Sequence, residues 1–335
     1  MKKTHLLGPG LGLVMLALTA SCSREAAQEP PTPTALAVRI AGDFEKVRLS
    51  AEQLARFTTE LYARQTETIA GADPTRYAFA PDGAFYKPKN DSGSALWISG
   101  VVPITEEVKA VAYLTEPLDA ELARVCREQP IIVQSYYNDR HSLNRIYPWM
   151  DCLTQYEAKM DIPSFNFYYL ADGTHNPAKR GVWVADPYVD PAGRGWMISA
   201  IAPVYPAGGA ELAGVVGLDI TIEKILQTYV DRAVTPFAVV AATGVIVAAT
   251  EEAIGLMGMP PLKEHKYLQT VKNDTFKPDD YNLLRSTSRP VRSIASVLSQ
   301  AGEAHLIVTL EGRDYTISSA RVPDLGWTVL TINQR

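Results

Sequence analysis

The chain has 335 residues, a formal net charge of −5, 47% hydrophobic and 21% charged residues, and three cysteines. That apolar share is ordinary for a globular protein, and the length is enough for two modest cores. The acidic balance argues against nucleic acid or an anionic membrane surface as a partner.

Lys2 and Lys3 precede an apolar run from Leu6 to Leu18, and Thr19-Ala20-Ser21 lead to Cys22, the pattern of a secretory signal. The run is too short for a comfortable membrane span, so residues 1–21 read as a cleaved segment. A cysteine directly after small residues makes it similar to a lipoprotein signal, with Cys22 as the lipidated first residue; an ordinary secreted protein with a chance cysteine is the alternative. Cleavage takes Lys2 and Lys3 with it and changes the charge from −5 to −7. Residues 22–40, with Pro30, Pro31 and Pro33 among polar residues, read as the lipidated cysteine and a semi-rigid tether.

Ser50 with Gln53 fits a capping box, and Leu54, Phe57 and Leu61 keep helical spacing to about Ile69, so residues 41–74 are expected to hold a long N-terminal helix. Tyr77 to Tyr86 is a hairpin turning at Pro81-Asp82-Gly83. Ala95 to Val102 reads as a strand, Ile104 to Glu128 as helix interrupted at Pro117, Ile131 to Tyr137 as a strand, and Ile162 to Asp172 as a short aromatic helix. Gly181 to Thr221 reads as three sequential antiparallel strands. The first ends in the turn Asp190-Pro191-Ala192-Gly193. In the second, Trp196, Ile198, Ala200 and Ala202 alternate with Met197, Ser199 and Ile201. The third runs from Gly214 to Ile220, and Thr221 caps a following helix. Beyond it the plan restarts, with a hairpin about Thr243-Gly244 and a meander of His305–Leu310, Asp314–Arg321 and Gly326–Ile332. Cys126 and Cys152 either pair in an oxidising compartment or stand as two buried thiols; spacing alone does not decide.

The stretch Trp183, Pro187-Tyr188-Val189-Asp190, Gly195-Trp196, Pro203-Val204-Tyr205 and Gly214 to Ile220 resembles the double Cache family, the extracytoplasmic sensor modules of bacterial chemoreceptors and kinases. The resemblance implies an α+β fold: a long N-terminal helix, then two PAS-like lobes, each an antiparallel sheet flanked by helices. A membrane-distal, ligand-binding lobe is expected over residues 75–232 and a membrane-proximal lobe over 233–335. Sensors of this family normally continue into a membrane helix and an output domain. This chain ends just after its last expected strand, so a partner receptor or kinase is expected to read the signal. Whether the unit is a homodimer through its long helix stays open.

The five histidines are scattered, and no HExxH or CxxC pairing, phosphate loop or nucleophile elbow is present, so no metal, cofactor or catalytic set is expected. Carboxylates suited to glycoside hydrolysis stay open among Asp151, Asp186, Asp190 and Asp219, although acids near strand ends more often cap turns or face water. A binding pocket is better supported. Tyr147, Trp149, Tyr168, Trp183, Tyr188 and Trp196 interleave with Asp186, Asp190, Asp219 and Arg145, a mixture of aromatic walls and a few polar groups that suits a small ligand. An Asp within Gly217-Leu218-Asp219-Ile220 needs a ligand or a partner such as Arg145 if buried. The resemblance assigns Asp219, Tyr188 and Asp190 to a ligand ammonium. The Arg expected before the aromatic helix to hold a carboxylate is missing at Phe165-Asn166-Phe167-Tyr168, and Arg145 is the candidate substitute. The expected function is therefore a lipid-anchored sensor, not an enzyme, for an amine or amino-acid-like metabolite, held by Asp219 and Asp190 between Tyr147, Tyr188 and Trp183. A solute-capture lipoprotein for a transporter is the main alternative, a hydrolase a lesser one.

Overall fold

The computed structural model describes residues 32–206, 209–230, 235–260, 278–301 and 303–335. The signal segment, Cys22 and the first part of the tether lie outside them. Helix α1 (Pro33–Ala63) opens with Thr32, whose side chain accepts from Ala35 N at 3.2 Å, and with Pro33 in the first turn. Proline is at no disadvantage there, because an N–H in the first turn has no helical acceptor. The helix therefore begins within the expected tether, and Ser50, read from the sequence as its cap, lies mid-helix and accepts from Gln129 Nε2 at 2.6 Å. Leu36, Ile40, Phe44, Val47, Ala51, Leu54 and Leu61 form its buried stripe. Thirty-one residues extend about 46 Å, enough to lie along both sheets.

A short α2 (Gln65–Ala70) leads to β1 (Ala78–Phe79), β2 (Phe85–Tyr86) and β3 (Ala95–Ile98). Two helices follow, α3 (Glu106–Leu114) and α4 (Leu118–Glu128), then β4 (Gln134–Asp139) and β5 (Leu143–Tyr147). An excursion with α5 (Cys152–Gln155) and α6 (Asn166–Tyr169) precedes β6 (Val182–Val189), β7 (Trp196–Val204) and β8 (Gly214–Thr221). These eight strands form one sheet in the order β1-β2-β3-β5-β4-β8-β7-β6. After α7 (Ile222–Ile225), a second sheet takes β9 (Phe237–Val240) and β10 (Ile246–Ala249). Next come α8 (Glu251–Leu256) and α9 (Arg289–Gln300), and then β11 (Ala304–Leu310), β12 (Arg313–Arg321) and β13 (Thr328–Gln334). Its order is β10-β9-β13-β12-β11, and all strand pairs in both sheets are antiparallel.

The first sheet is covered on both faces, so β7 is buried at every position. Side chains alternate across a strand. Trp196, Ile198, Ala200, Ala202 and Val204 thus pack with α1, while Ile201 packs with Phe167 and Tyr168 of the excursion. Which face a residue takes is decided by one position of register. Cys126, on α4, packs against the α1 side, and Cys152, on α5, lies in the opposite cluster. Both are free thiols, so the disulfide reading is corrected: the sheet stands between them. Among the described residues, no helix is long and apolar enough to cross a membrane.

Candidate functional site

The excursion between β5 and β6 covers a cavity on the face of the first sheet away from α1. Residues of β4, β5, β6 and β8 line it: Gln134, Tyr136, Asn138, Asn144, Ile146, Tyr188 and Asp219. Asp190, Pro191 and Ala192 close it at the β6–β7 turn, and Tyr156, Met160, Ile162 and Phe167 lie over it. Its volume is about 20 Å³, little more than one water requires.

Two buried carboxylates share this space, Asp190 at 4% exposure and Asp219 at 1%. Gln134 Nε2 donates to both, at 3.2 Å to Asp190 Oδ2 and 2.5 Å to Asp219 Oδ2. Asp190 also accepts from the backbone N–H groups of Ala192 at 2.9 Å and Arg194 at 3.1 Å, bonds that close the turn the sequence signals at Asp190-Pro191-Ala192-Gly193. Ser199 Oγ donates to Asp219 Oδ1 at 2.5 Å. With its one proton committed there, Ser199 accepts from the Tyr188 hydroxyl at 2.6 Å. A chain of donors thus runs from Tyr188 to Asp219, and Gln134 ties Asp219 to Asp190.

No lysine, arginine or histidine is among the residues lining the cavity. Burial, and then the charge of Asp190, push the Asp219 carboxyl up to about 8, against the hydrogen bonds from Ser199 and Gln134. Burial pushes Asp190 up to about 6 against its backbone donors and Gln134. Burial likewise holds the Tyr136, Tyr156 and Tyr188 hydroxyls well above the usual phenol range. An anionic pair in this setting holds a proton or takes a cation.

Of the residues singled out in the sequence, Tyr188, Asp190 and Asp219 meet at the cavity. Arg145 does not. It pairs across the sheet with Leu96 and Tyr137 on the α3–α4 side, with Nη1 on Asp119 Oδ1 at 2.5 Å, Nη2 on Ala112 O at 2.7 Å and on the Tyr77 hydroxyl at 3.1 Å, and Nε on Thr115 Oγ1 at 3.1 Å. It is fully buried, and four of its five N–H groups are held in these bonds, so neither the ligand-carboxylate role nor the pairing with Asp219 holds. Tyr147, two residues along, packs with the same helix-side cluster. Trp183 packs on Phe44 of α1 with ring centroids 4.9 Å apart and the rings tilted by 34°, and Trp196 packs in that cluster too. Asp186 sits at a bulge of β6 and accepts from Thr243 Oγ1, in the turn between β9 and β10, at 3.0 Å. Trp149 and Tyr168 lie within the cluster on the cavity's face but outside its lining.

Sequence reasoning missed Gln134, Ser199, Asn138, Asn144 and Tyr156. Asn144 Nδ2 donates to Asn138 Oδ1 at 2.7 Å, and the Tyr156 hydroxyl to Asn144 Oδ1 at 2.9 Å. The available signal was alternation: Gln134, Tyr136 and Asn138 share a face of β4, polar within a strand buried throughout.

The chain thus has two antiparallel sheets along one long helix, with an acidic cavity under the excursion of the first sheet. The chain has the double Cache fold: it matches the ligand-binding domain of the Pseudomonas fluorescens chemoreceptor CtaA, solved with L-alanine, at TM-score 0.50 and 17% identity over 90% of this chain and 94% of that one. It matches that of the Pseudomonas aeruginosa PAO1 amino acid chemoreceptor PctB, solved with L-Arg, at TM-score 0.50 and 15% identity over 90% and 92%. No protein-family model and no curated protein sequence matches the chain.

Proposed function

We propose that the chain is an extracytoplasmic small-molecule sensor whose first lobe binds a metabolite through a cationic amine, held by Asp219 and Asp190 beside Tyr188. The observation that carries this reading is the pair of carboxylates, both at most 4% exposed, in a cavity whose lining supplies no cation. A ligand ammonium offers the missing charge and several N–H donors at once. Aromatic rings of Tyr136, Phe167 and Tyr188 add area and a favourable face for the cation. The structures of similar fold were solved with L-alanine and L-Arg, both amine-bearing. Because Arg145 is spent on Asp119, an amine without a carboxylate fits this lining better than an alpha-amino acid does.

In this proposal the chain acts by binding, not turnover, and its cavity widens on binding as the cover of Tyr156, Met160 and Ile162 moves outward. The signal pattern ending at Cys22 supports lipid attachment on the extracytoplasmic side of a membrane, and the bound state is then read by a partner receptor or kinase. Isothermal titration tests the core of it. The amine that most raises the melting temperature of the wild type should bind Asp219→Asn at least tenfold more weakly, since a charge-assisted hydrogen bond contributes about 1.5–3 kcal/mol. Unchanged affinity would overturn the assignment.

A further inference from the structure

Strand β4 runs beneath the two carboxylates and carries two polar atoms with no partner. Gln134 is 2% exposed and Tyr136 3%. Gln134 Oε1 and the Tyr136 hydroxyl are buried without a hydrogen bond, and both side chains line the cavity. Buried polar atoms are nearly always paired, so two orphans in one cavity point to a ligand that pairs them.

The orientation of the Gln134 amide follows from its neighbours. The atom 3.2 Å from Asp190 Oδ2 and 2.5 Å from Asp219 Oδ2 is the nitrogen, because at neutral pH a carbonyl oxygen in that place would face the ionised Asp190, which has no proton to give. Oε1 is thereby held as an acceptor next to the carboxylate pair. Tyr136 is placed from the neighbouring strand. It stands opposite Gly217 of β8, where an added Cβ would collide with Tyr136 Cζ and with its hydroxyl oxygen. Glycine there lets the ring lie across β8. The hydroxyl then falls near Ser199 and Tyr188 and within the field of Asp219 and Asp190.

Resting on the amine-binding reading, we infer that Gln134 Oε1 is the third acceptor of the site, so that Asp219, Asp190 and Gln134 together offer one acceptor to each N–H of a primary ammonium, with the Tyr136 hydroxyl as a further ligand contact. A trimethylammonium group has a comparable charge and suits the aromatic faces, but it brings no N–H and leaves every one of these acceptors unpaired. The site therefore selects primary amines over their N-methylated forms, and Gln134 is a specificity-determining residue.

The test is titration calorimetry on three matched pairs: ethanolamine and choline, 2-phenylethylamine and its N,N,N-trimethyl derivative, L-alanine and its N,N,N-trimethyl derivative. The wild type should bind a primary amine at least tenfold more tightly than its trimethyl partner, one charge-assisted hydrogen bond being worth about that ratio. Gln134→Met should lower that ratio several-fold, the remainder being supplied by the acceptors of Asp219 and Asp190. Tyr136→Phe should weaken binding about fivefold while leaving the unliganded melting temperature unchanged or raised, because the hydroxyl it removes makes no hydrogen bond of normal geometry to a protein atom; a lowered melting temperature with unchanged affinity would make that hydroxyl merely structural. A trimethyl form that binds the wild type as tightly as its primary amine overturns the inference whether or not the variants fold, and so does a ratio that Gln134→Met leaves unchanged. If none of the six binds while a carboxylate lacking an amine does, or if nothing binds, the amine-binding reading itself falls and this inference with it.

Discussion

Asp219 and Arg145 are both buried charged residues on neighbouring parts of one sheet, yet the fold treats them oppositely. Arg145 spends its donors on Asp119, Thr115, Tyr77 and Ala112, whereas Asp219 faces a second carboxylate. Removing one partner of a buried ion pair strands the other. Arg145→Met should therefore cost about 3–5 kcal/mol of unfolding free energy in urea titrations, with no change in ligand preference; a shifted preference would return Arg145 to the site. For Asp219 the consequence is a pH dependence. Its folded value of about 8 lies above the ordinary 3.8 of an aspartate, so its contribution to stability is fully present below the unfolded value and is lost as pH rises through about 8. Asp190, raised to about 6, adds the same trend over a lower window. The unliganded melting temperature should fall between about pH 5 and about pH 8.5, and Asp219→Asn should flatten most of that fall. A profile that rises over the same range would mean the carboxyl is already ionised in the free protein. Affinity for an ammonium should run the other way, increasing as Asp219 gives up its proton.

The strands of the first sheet decide which of those charges can meet. β5 sends Arg145 and Tyr147 toward α3 and α4, and Asn144 and Ile146 toward the cavity. A shift of one residue would exchange the sets. The sequence-based grouping of Arg145, Tyr147, Trp183 and Trp196 with Asp219 rested on proximity along the chain, which carries no information about side. In β6 the register jumps between Val184 and Tyr188, yet both keep the cavity's face. The bulge itself turns outward, where Asp186 meets Thr243 and the Ala185 carbonyl accepts from Trp327 Nε1 at 3.0 Å. β8 contributes through an absence of side chain: at Gly217 any Cβ collides with Tyr136. Gly217→Ala should destabilise the protein by about 1–3 kcal/mol, as overpacking does, and weaken ligand binding by displacing the Tyr136 ring. A neutral effect in both denaturation and titration would mean that the ring moves aside at no cost.

Helix α1 joins the two sheets into one molecule. Phe44 packs between Trp183 of the first sheet, at 4.9 Å, and Trp327 at the start of β13 in the second, at 5.4 Å. The described residues form one compact unit, so the two lobes should unfold together. Calorimetry should give one transition with matching calorimetric and van't Hoff enthalpies. Phe44→Ala should cost about 3–5 kcal/mol, the loss typical of a large buried aromatic. Two separated transitions in the wild type would show that the wedge does not couple the sheets.

The sequence by itself determined the order of elements and much of the chemistry of the site. Turn residues at Asp82-Gly83, Asp190 to Gly193 and Thr243-Gly244, with alternation in β7, were enough to place hairpins and meanders, because these signals act within a few residues. Asp219 was legible for a related reason, since an acid amid apolar strand residues demands a partner wherever it lies, whereas Tyr188 and Asp190 were singled out by the family resemblance of their segment. The start of α1 was not legible. Pro33 reads as tether or as first helical turn with equal ease, and only packing of Leu36, Ile40 and Phe44 against the sheets selects the helix. Tertiary structure alone decided the rest: that Arg145 belongs to Asp119, that Cys126 and Cys152 lie on opposite sides of a sheet, and that Gln134 bridges the two aspartates. Each of these depends on which face of a strand meets which neighbour from a distant part of the chain, and no local pattern encodes that pairing.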